Sequence, residues 1–270
     1  MLKQRIMTAA WLAPLALAGL FGLEGGAFAL FAGAIVLLAG REWANLAGVT
    51  TRLGRGLVVT GLAGVLLALW FAGAAHAVWP LVLGTLGWAL NFYWVSRYPA
   101  GTSRWRSTPR RLAMGLWVLV PCWVGFNVLR ATEPSGVWLL FVLLLVWAAD
   151  IGAYFAGRRF GRRKLAPGVS PGKTWEGVAG GMAATALLAL GFAAWQSLEA
   201  TAAAVLLAIA AVVTLVSVLG DLLESMLKRH RGIKDSSRLL PGHGGVLDRI
   251  DSLTAAVPTF ALLYLQVLPL

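Results

Sequence analysis

The stretch Ser225–Asp251, SMLKRHRGIKDSSRLLPGHGGVLDRID, lies between two long apolar segments, Thr201 to Leu223 and Leu253 to Leu268. Apolar segments of that length flanking a polar one read as membrane-spanning helices joined by a loop at the membrane surface. The loop is richer than a connector requires: it carries six basic residues, three carboxylates, two histidines and four glycines. That mixture suits a metal ion and a polyphosphate.

Outward from this stretch the chain keeps the same character. Of its 270 residues 59% are hydrophobic and 13% charged, and the mean hydropathy is +0.77. These values place the chain in a bilayer and exclude an ordinary soluble domain. Further apolar stretches run from Thr8 to Leu20, Ala27 to Leu38, Leu57 to Ala74, Val78 to Val95, Leu112 to Leu129, Gly136 to Ala156 and Val178 to Trp195. The second must borrow neighbours such as Trp43 and Leu46 to reach crossing length. Met1 to Leu20 has the basic start of a signal peptide but leads directly into more apolar sequence, so it is expected to remain as the first span. The fold expected is all-α: a single polytopic domain, residues 1–270, with about nine transmembrane helices. Cys122 lies alone in an apolar run, which rules out an intrachain disulfide and leaves it as a small core residue.

Charge sets the orientation. Lys3 and Arg5, Arg41 to Arg55, Arg97 to Arg111, Arg158 to Lys173 and the run from Lys228 all fall in alternate connections, and Arg130 alone among Lys and Arg falls on the other side with Glu24, Glu133 and Glu199. Basic loops stay cytoplasmic, so the N-terminus and the polar loops are expected inside and the C-terminus outside. The net charge of +12 then serves orientation and anionic lipid headgroups rather than nucleic acid. Small residues in the early helices favour close packing, and Trp11, Trp43, Trp79, Trp94 and Trp138 are expected at the membrane–water interfaces. Pro80 opens a span where its missing N–H costs little, and Pro121 falls inside the fifth.

All five aspartates, Asp150, Asp221, Asp235, Asp248 and Asp251, lie in the second half. Residues 1–135 therefore read mainly as scaffold and 136–270 as the half that carries the chemistry. Asp150 closes an apolar run, and a charge at that depth needs a partner, a metal or water; Tyr154 shares its helix face four residues on. A helix-packing carboxylate is the alternative. The segment Pro167–Gly177 invites a P-loop reading but fails on spacing, with three residues rather than four between Gly168 and Gly172. It reads better as a short loop feeding a helix, with Ser170 or Thr174 as cap and exposed amides plus Lys173 facing an anion. Asp221 and Glu224 share a face at i,i+3, as do Asp248 and Asp251. If the last two helices lie side by side, Asp221 and Asp248 converge on one site suited to magnesium; water-exposed helix caps are the alternative. Pro241–Gly245 breaks helix, Gly244 and Gly245 permit close approach of phosphate, and His243 either donates to a phosphate or anchors the turn. His76 and His230 carry no catalytic expectation.

Ser225, Leu227, Lys228, Arg229, Lys234, Asp235, Ser237, Leu240, Pro241, His243, Gly244, Gly245, Asp248, Arg249 and Asp251 together resemble the signature of the phosphatidate cytidylyltransferase family, also called CDP-diacylglycerol synthases. Asp150, Ala153, Tyr154, Gly157, Arg158, Phe160 and Gly161, and then Ser170, Pro171, Lys173, Thr174, Glu176 and Gly177, are similar to earlier blocks of that family; Gly172 departs from the Lys that many relatives carry there. The resemblance implies a bacterial inner-membrane enzyme that joins CTP to phosphatidate, forming CDP-diacylglycerol and pyrophosphate. It implies magnesium held by Asp221 and Asp248, potassium nearby, and a homodimer. It implies phosphate contacts from Lys173, Lys228, Arg229 and Lys234, and orienting roles for Ser170, Thr174, Asp150, Glu224, Asp235 and Asp251. Two other classes stay open at this point: a nucleotidyltransferase acting on a different lipid or polyprenyl phosphate, and a noncatalytic lipid binder or transporter.

Overall fold

The computed structural model describes residues 2–268, the side chains of residues 2–7 and 9 excepted. The expected placement of Met1 and Leu270 lies outside the described residues. Nine long helices follow one another among those described: α1 (Leu2–Gly22), α2 (Gly25–Leu46), α3 (Arg52–Phe71), α4 (Val78–Ser96), α5 (Thr108–Ala131), α6 (Val137–Phe160), α7 (Trp175–Trp195), α8 (Ala200–Arg231) and α9 (Leu247–Val267). Those from α2 to α9 are long and apolar enough to cross a membrane, and α1 contributes a shorter apolar piece, Ala10–Gly22. The chain is thus an all-α polytopic membrane protein. α2 does run on through Trp43 and Leu46, which gives it the length its apolar core lacks.

The all-α expectation has one local exception. Between α6 and α7 the chain forms a hairpin of β1 (Lys164–Ala166) and β2 (Ser170–Thr174), antiparallel, with Lys164 opposite Thr174 and Ala166 opposite Ser170. Pro167 and Gly168 supply the turn, closed by the Val169 N–H donating to the Ala166 carbonyl at 3.1 Å. Val169 is buried, and its carbonyl accepts from Arg229 Nε on α8 at 3.3 Å, so the hairpin is tied to the helical body.

Small residues decide which helices meet closely. A Cβ on Gly152 of α6 would lie 2.5 Å from the Gly180 carbonyl of α7, and one on Gly181 would lie 2.9 Å from the Ala149 carbonyl. The α6–α7 backbones therefore touch, as small-residue interfaces in membranes allow. At Gly220 a Cβ would lie 2.5 Å from the Asp251 carbonyl, so α9 lies directly against α8 beside Asp221. The side-by-side arrangement on which convergence of the acidic residues depends is present.

The tryptophan expectation is corrected in part. Trp11 and Trp79 do face outward, but Trp43, Trp94 and Trp138 are buried between helices. Trp43 Nε1 donates to the Arg111 carbonyl at 2.7 Å, and the Trp138 ring packs 4.9 Å from Tyr264 and 5.1 Å from Phe192. Composition marks tryptophan as suited to helix ends; which way the ring turns is decided by neighbours far away in sequence.

Candidate functional site

The run Ser225–Asp251 divides into three parts. Ser225–Arg231 completes α8, which carries its polar end about eight residues, roughly 12 Å, beyond the apolar stretch. Gly232, at φ +72°, ends it, with its N–H donating to the Arg229 carbonyl and that of Ile233 to the Lys228 carbonyl. Residues 233–246 form a loop, and Leu247 begins α9.

One polar cluster lines a cavity of about 350 Å³ between α6, α7 and α8. Asp150, Tyr154 and Arg158 enter it from α6, Lys173 and Thr174 from the end of β2, and Asp221 from α8. Lys173 Nζ lies 2.6 Å from Asp221 Oδ2, and Ser225 Oγ donates to Asp221 Oδ1 at 3.1 Å. Asp150 lies within electrostatic reach of Lys173, Asp221 and Arg249. The shared face of Asp150 and Tyr154 is confirmed, and the Tyr154 hydroxyl accepts from Arg158 at 3.0 Å. Thr174 is the cap of α7, accepting from the Gly177 N–H at 3.1 Å, which contributes about 1 kcal/mol of helix stability and fixes the direction in which Lys173 leaves the strand. Glu176 in the first turn of α7 accepts from the backbone N–H groups of Arg162 and Arg163 at 3.1 and 3.2 Å, closing the base of the hairpin.

A second cluster adjoins it. Lys228 Nζ lies 2.6 Å from Glu224 Oε2 and 2.7 Å from Asp248 Oδ1, an ammonium held between α8 and the start of α9. Asp248 Oδ2 accepts three further hydrogen bonds, from Ser236 N at 2.9 Å, Ser236 Oγ at 2.7 Å and Gly245 N at 2.7 Å. Asp248 thus organises the loop, and it is not among the residues that line the cavity holding Asp221. Asp251, packed beneath, interacts with Asp221, Glu224 and Lys228.

The residue that sequence reasoning missed is Glu42. It sits buried on α2, in the half read as scaffold, and its four hydrogen bonds are with the distant loop and the first residue of α9. Its Oε1 accepts from Ser237 Oγ at 2.6 Å and Val246 N at 3.1 Å; its Oε2 accepts from Leu247 N at 2.7 Å and Ser236 Oγ at 3.2 Å. A carboxylate 205 positions away in sequence therefore caps α9. Asn45, one turn on, donates to the Ser236 carbonyl at 3.2 Å and accepts from Arg55 at 2.9 Å. The only sequence signal was a carboxylate inside an apolar segment, which is costly without partners.

The remaining expected residues are placed as follows. Gly244, at φ +82°, closes a tight turn in which the Leu240 N–H donates to the Gly244 carbonyl at 2.8 Å. A Cβ on Gly245 would lie 2.5 Å from Glu42 Oε2, so its lack of a side chain admits a carboxylate of the protein itself. His243 Nδ1 is buried without a hydrogen-bond partner among the described residues, while its backbone N–H holds the turn through the Leu240 carbonyl at 2.9 Å. Lys234 and Asp235 are exposed on the loop, Arg229 is exposed beside the hairpin, and Ser170 sits on β2 outside the wall of the cavity.

The donor set fits a hard divalent cation. Asp150, Asp221, Glu224, Asp248 and Asp251 face the cations Lys173, Lys228 and Arg249, a formal balance of −2. Glu224 Oε1 is buried and accepts from no N–H or hydroxyl among the described residues, and the Glu224 side chain lies within hydrogen-bonding reach of the Asp251 carboxyl. No three acidic, histidine or cysteine side chains among those residues share the reach of one ion; magnesium needs only one or two carboxylates when phosphates and water complete its shell.

Fold and site together define a polytopic membrane protein with a cavity lined by carboxylates and basic side chains at the charged end of its helices. The chain belongs to the cytidylyltransferase family, whose model matches residues 3–267. It is 50% identical over 267 residues to a phosphatidate cytidylyltransferase of Pseudomonas aeruginosa, covering 97% of both chains. It is also 43% identical over 291 residues to one of Haemophilus influenzae, covering 99% of this chain and all of that one, and 38% identical over 271 residues to one of Brucella suis, covering 98% and 92%.

Proposed function

We infer that this chain transfers a cytidylyl group from CTP to phosphatidate. A phosphate oxygen of the lipid attacks the α-phosphorus of CTP, the bond from that phosphorus to the bridging oxygen breaks, and pyrophosphate leaves as CDP-diacylglycerol forms. The observation that carries this reading is the Lys173–Asp221 cavity, set at the charged end of apolar helices in a chain matched along its length by enzymes of that name. The attacking oxygen is already anionic, so no base is needed to generate it. The protein must bring two anions together and stabilise the leaving group.

Lys173 and Arg158 line the cavity and would hold phosphate there. Lys228, Arg229 and Lys234 border the loop and would meet the triphosphate or the lipid phosphate. Magnesium would be held by Asp221 and Asp248, with Glu224, Asp235 and Asp251 orienting the assembly, and potassium is expected nearby. A bound magnesium ion supplies charge neutralisation of the phosphates. Asp221 is paired with Lys173 and Asp248 with Lys228, so each carboxylate already faces a cation in the geometry seen.

The reading includes placement in a bacterial inner membrane with the charged end cytoplasmic, where soluble CTP is available, contact with anionic lipids, and a homodimer. The test is purified protein with CTP, magnesium and defined phosphatidate, with CDP-diacylglycerol and pyrophosphate both measured. Formation of both in equal amounts is expected. Absence of both from folded protein, with potassium also supplied, rejects the assignment; product from a polyprenyl phosphate instead would move the chain to a different acceptor.

A further inference from the structure

A separate polar cavity, of about 250 Å³, lies at the other end of the helices. Glu24 lines it from the turn before α2, His76 from the connection between α3 and α4, Asn127 and Arg130 from the end of α5, and Glu133 and Ser135 from the turn into α6. Gly25 also lines it, and from Gly25 to Glu42, which holds the active-site loop, α2 rises about 26 Å. A hydrocarbon core is roughly 30 Å thick, so this cavity sits at the membrane surface opposite the catalytic one.

Arg130 is the reason to expect a ligand there. Its side chain keeps only 6% exposure, yet its partners do not match that burial. Glu24 Oε1 stands 3.4 Å away and is 79% exposed, Ser135 Oγ accepts from one terminal nitrogen, and Nε is buried with no hydrogen-bond partner among the described residues. A buried guanidinium whose ion-pair partner sits in water is poorly compensated. An anion entering the cavity would supply what is lacking. A bare phosphate, however, would also meet Glu24 and Glu133, two carboxylates against one guanidinium. A ligand that carries a phosphate and, a few bonds away, an ammonium answers both signs.

The rim favours a lipid as the source of that ligand. Phe71 at the end of α3 and Trp79 at the start of α4 stand on either side of His76 in the chain and are 84% and 54% exposed. Exposed aromatic side chains at helix ends mark the level where headgroups meet acyl chains. We propose that this cavity binds the headgroup of a phospholipid bearing a primary ammonium, with its phosphate at Arg130 and its ammonium at Glu24 and Glu133. The site is independent of the chemistry at Asp221. It joins the α1–α2, α3–α4 and α5–α6 connections, so the bound lipid fastens the bundle at the end remote from catalysis.

The test offers delipidated full-length protein phosphatidylethanolamine, phosphatidylglycerol or phosphatidylcholine in detergent and counts bound lipid by native mass spectrometry. One phosphatidylethanolamine per chain should be retained, at least about fivefold more tightly than either of the others. Glycerol brings no positive charge, and a trimethylated ammonium has no N–H to donate. Glu24→Gln combined with Glu133→Gln should abolish the preference, and Arg130→Gln should weaken retention of phosphatidylethanolamine about tenfold. If Arg130→Gln fails to fold, the double variant decides alone, since both of its positions are exposed. Equal retention of the three lipids by the parent, or a preference that survives the double variant, overturns the proposal. Asp221→Asn should keep the preference; its loss there would move the lipid to the catalytic cavity and overturn the proposal as well. Phosphoethanolamine without acyl chains should not displace the lipid at equal concentration, and full displacement would make the ligand a soluble phosphate ester and reject the lipid.

Discussion

Lys173 Nζ and Asp221 Oδ2 stand 2.6 Å apart, joining the end of the hairpin to α8 across the wall of the polar cavity. Both side chains remain partly open, at 24% and 31% exposure. This pair is accessible to ligand, and a phosphate arriving at Lys173 or a cation arriving at Asp221 must compete with it. We expect Lys173→Ala to raise the KM for CTP, and Asp221→Asn to reduce turnover by about 10²–10³-fold. Both variants should insert, with at most a modest fall in melting temperature, because the pair keeps contact with solvent at both ends. Near-normal turnover of Asp221→Asn removes it from the chemistry.

Asp248→Asn should behave differently from Asp221→Asn. Its Oδ2 takes three donors and its Oδ1 takes Lys228, so whichever way an amide is placed its NH2 faces a donor. Loss of turnover accompanied by a lower melting temperature is the expected outcome, measured side by side in detergent. Asp251→Asn should be milder in turnover than either; a larger loss there than at Asp248 would show that the wrong member of the pair has been assigned to the metal.

Glu42→Gln is predicted to damage an active-site loop from the opposite half of the chain. Each carboxylate oxygen accepts one backbone N–H, from Val246 and from Leu247, so the glutamine NH2 must point at one of them. The cost should be about 2–4 kcal/mol, and turnover should fall as the loop loosens. Thermal unfolding and limited proteolysis between residues 233 and 246 check it. An unchanged melting temperature and unchanged loop cleavage would make the contact incidental.

Chelation of magnesium should bring turnover to background and remove calorimetrically measured CTP binding, with both restored by magnesium. Omitting potassium should reduce turnover, and unchanged turnover removes that ion from the reading. CTP binding of undiminished affinity in chelator would separate nucleotide recognition from the acidic cluster.

Orientation is tested with single cysteines in a Cys122→Ala background. Glu133→Cys should react with a membrane-impermeant thiol reagent added to intact cells, and Arg231→Cys should react only after permeabilisation. Reaction of the second from outside would invert the topology.

What was legible in the sequence was what local pattern controls. Hydropathy placed the spans, the cap of α7 was readable as one of Ser170 and Thr174, of which it is Thr174, and i,i+4 spacing put Asp150 and Tyr154 on one face. Long-range packing was not legible. Nothing near Glu42 indicates that Ser236, Ser237, Val246 and Leu247 are its partners, because those contacts exist only after α2 and α9 pack. The same holds for the two carboxylates that flank Lys228, and for Trp43 and Trp138, whose helix-end positions fit an interface while their rings fill gaps inside. The hairpin was missed because its strands are three and five residues long, below the length at which alternation can be read.

The reach of Glu42 also bears on when the enzyme comes into being. Helices of a membrane protein are delivered in order of synthesis, N-terminal first. Glu42 is therefore in place long before Ser236, Ser237, Val246 and Leu247 leave the ribosome, and until then its carboxylate has none of the four donors it holds in the finished protein. A nascent chain stalled at the end of α8 carries an unsatisfied carboxyl group in an early helix and an unformed loop. Arrival of the last helix both neutralises that penalty and completes the site, so a partly made chain is catalytically silent and also marked as unfinished.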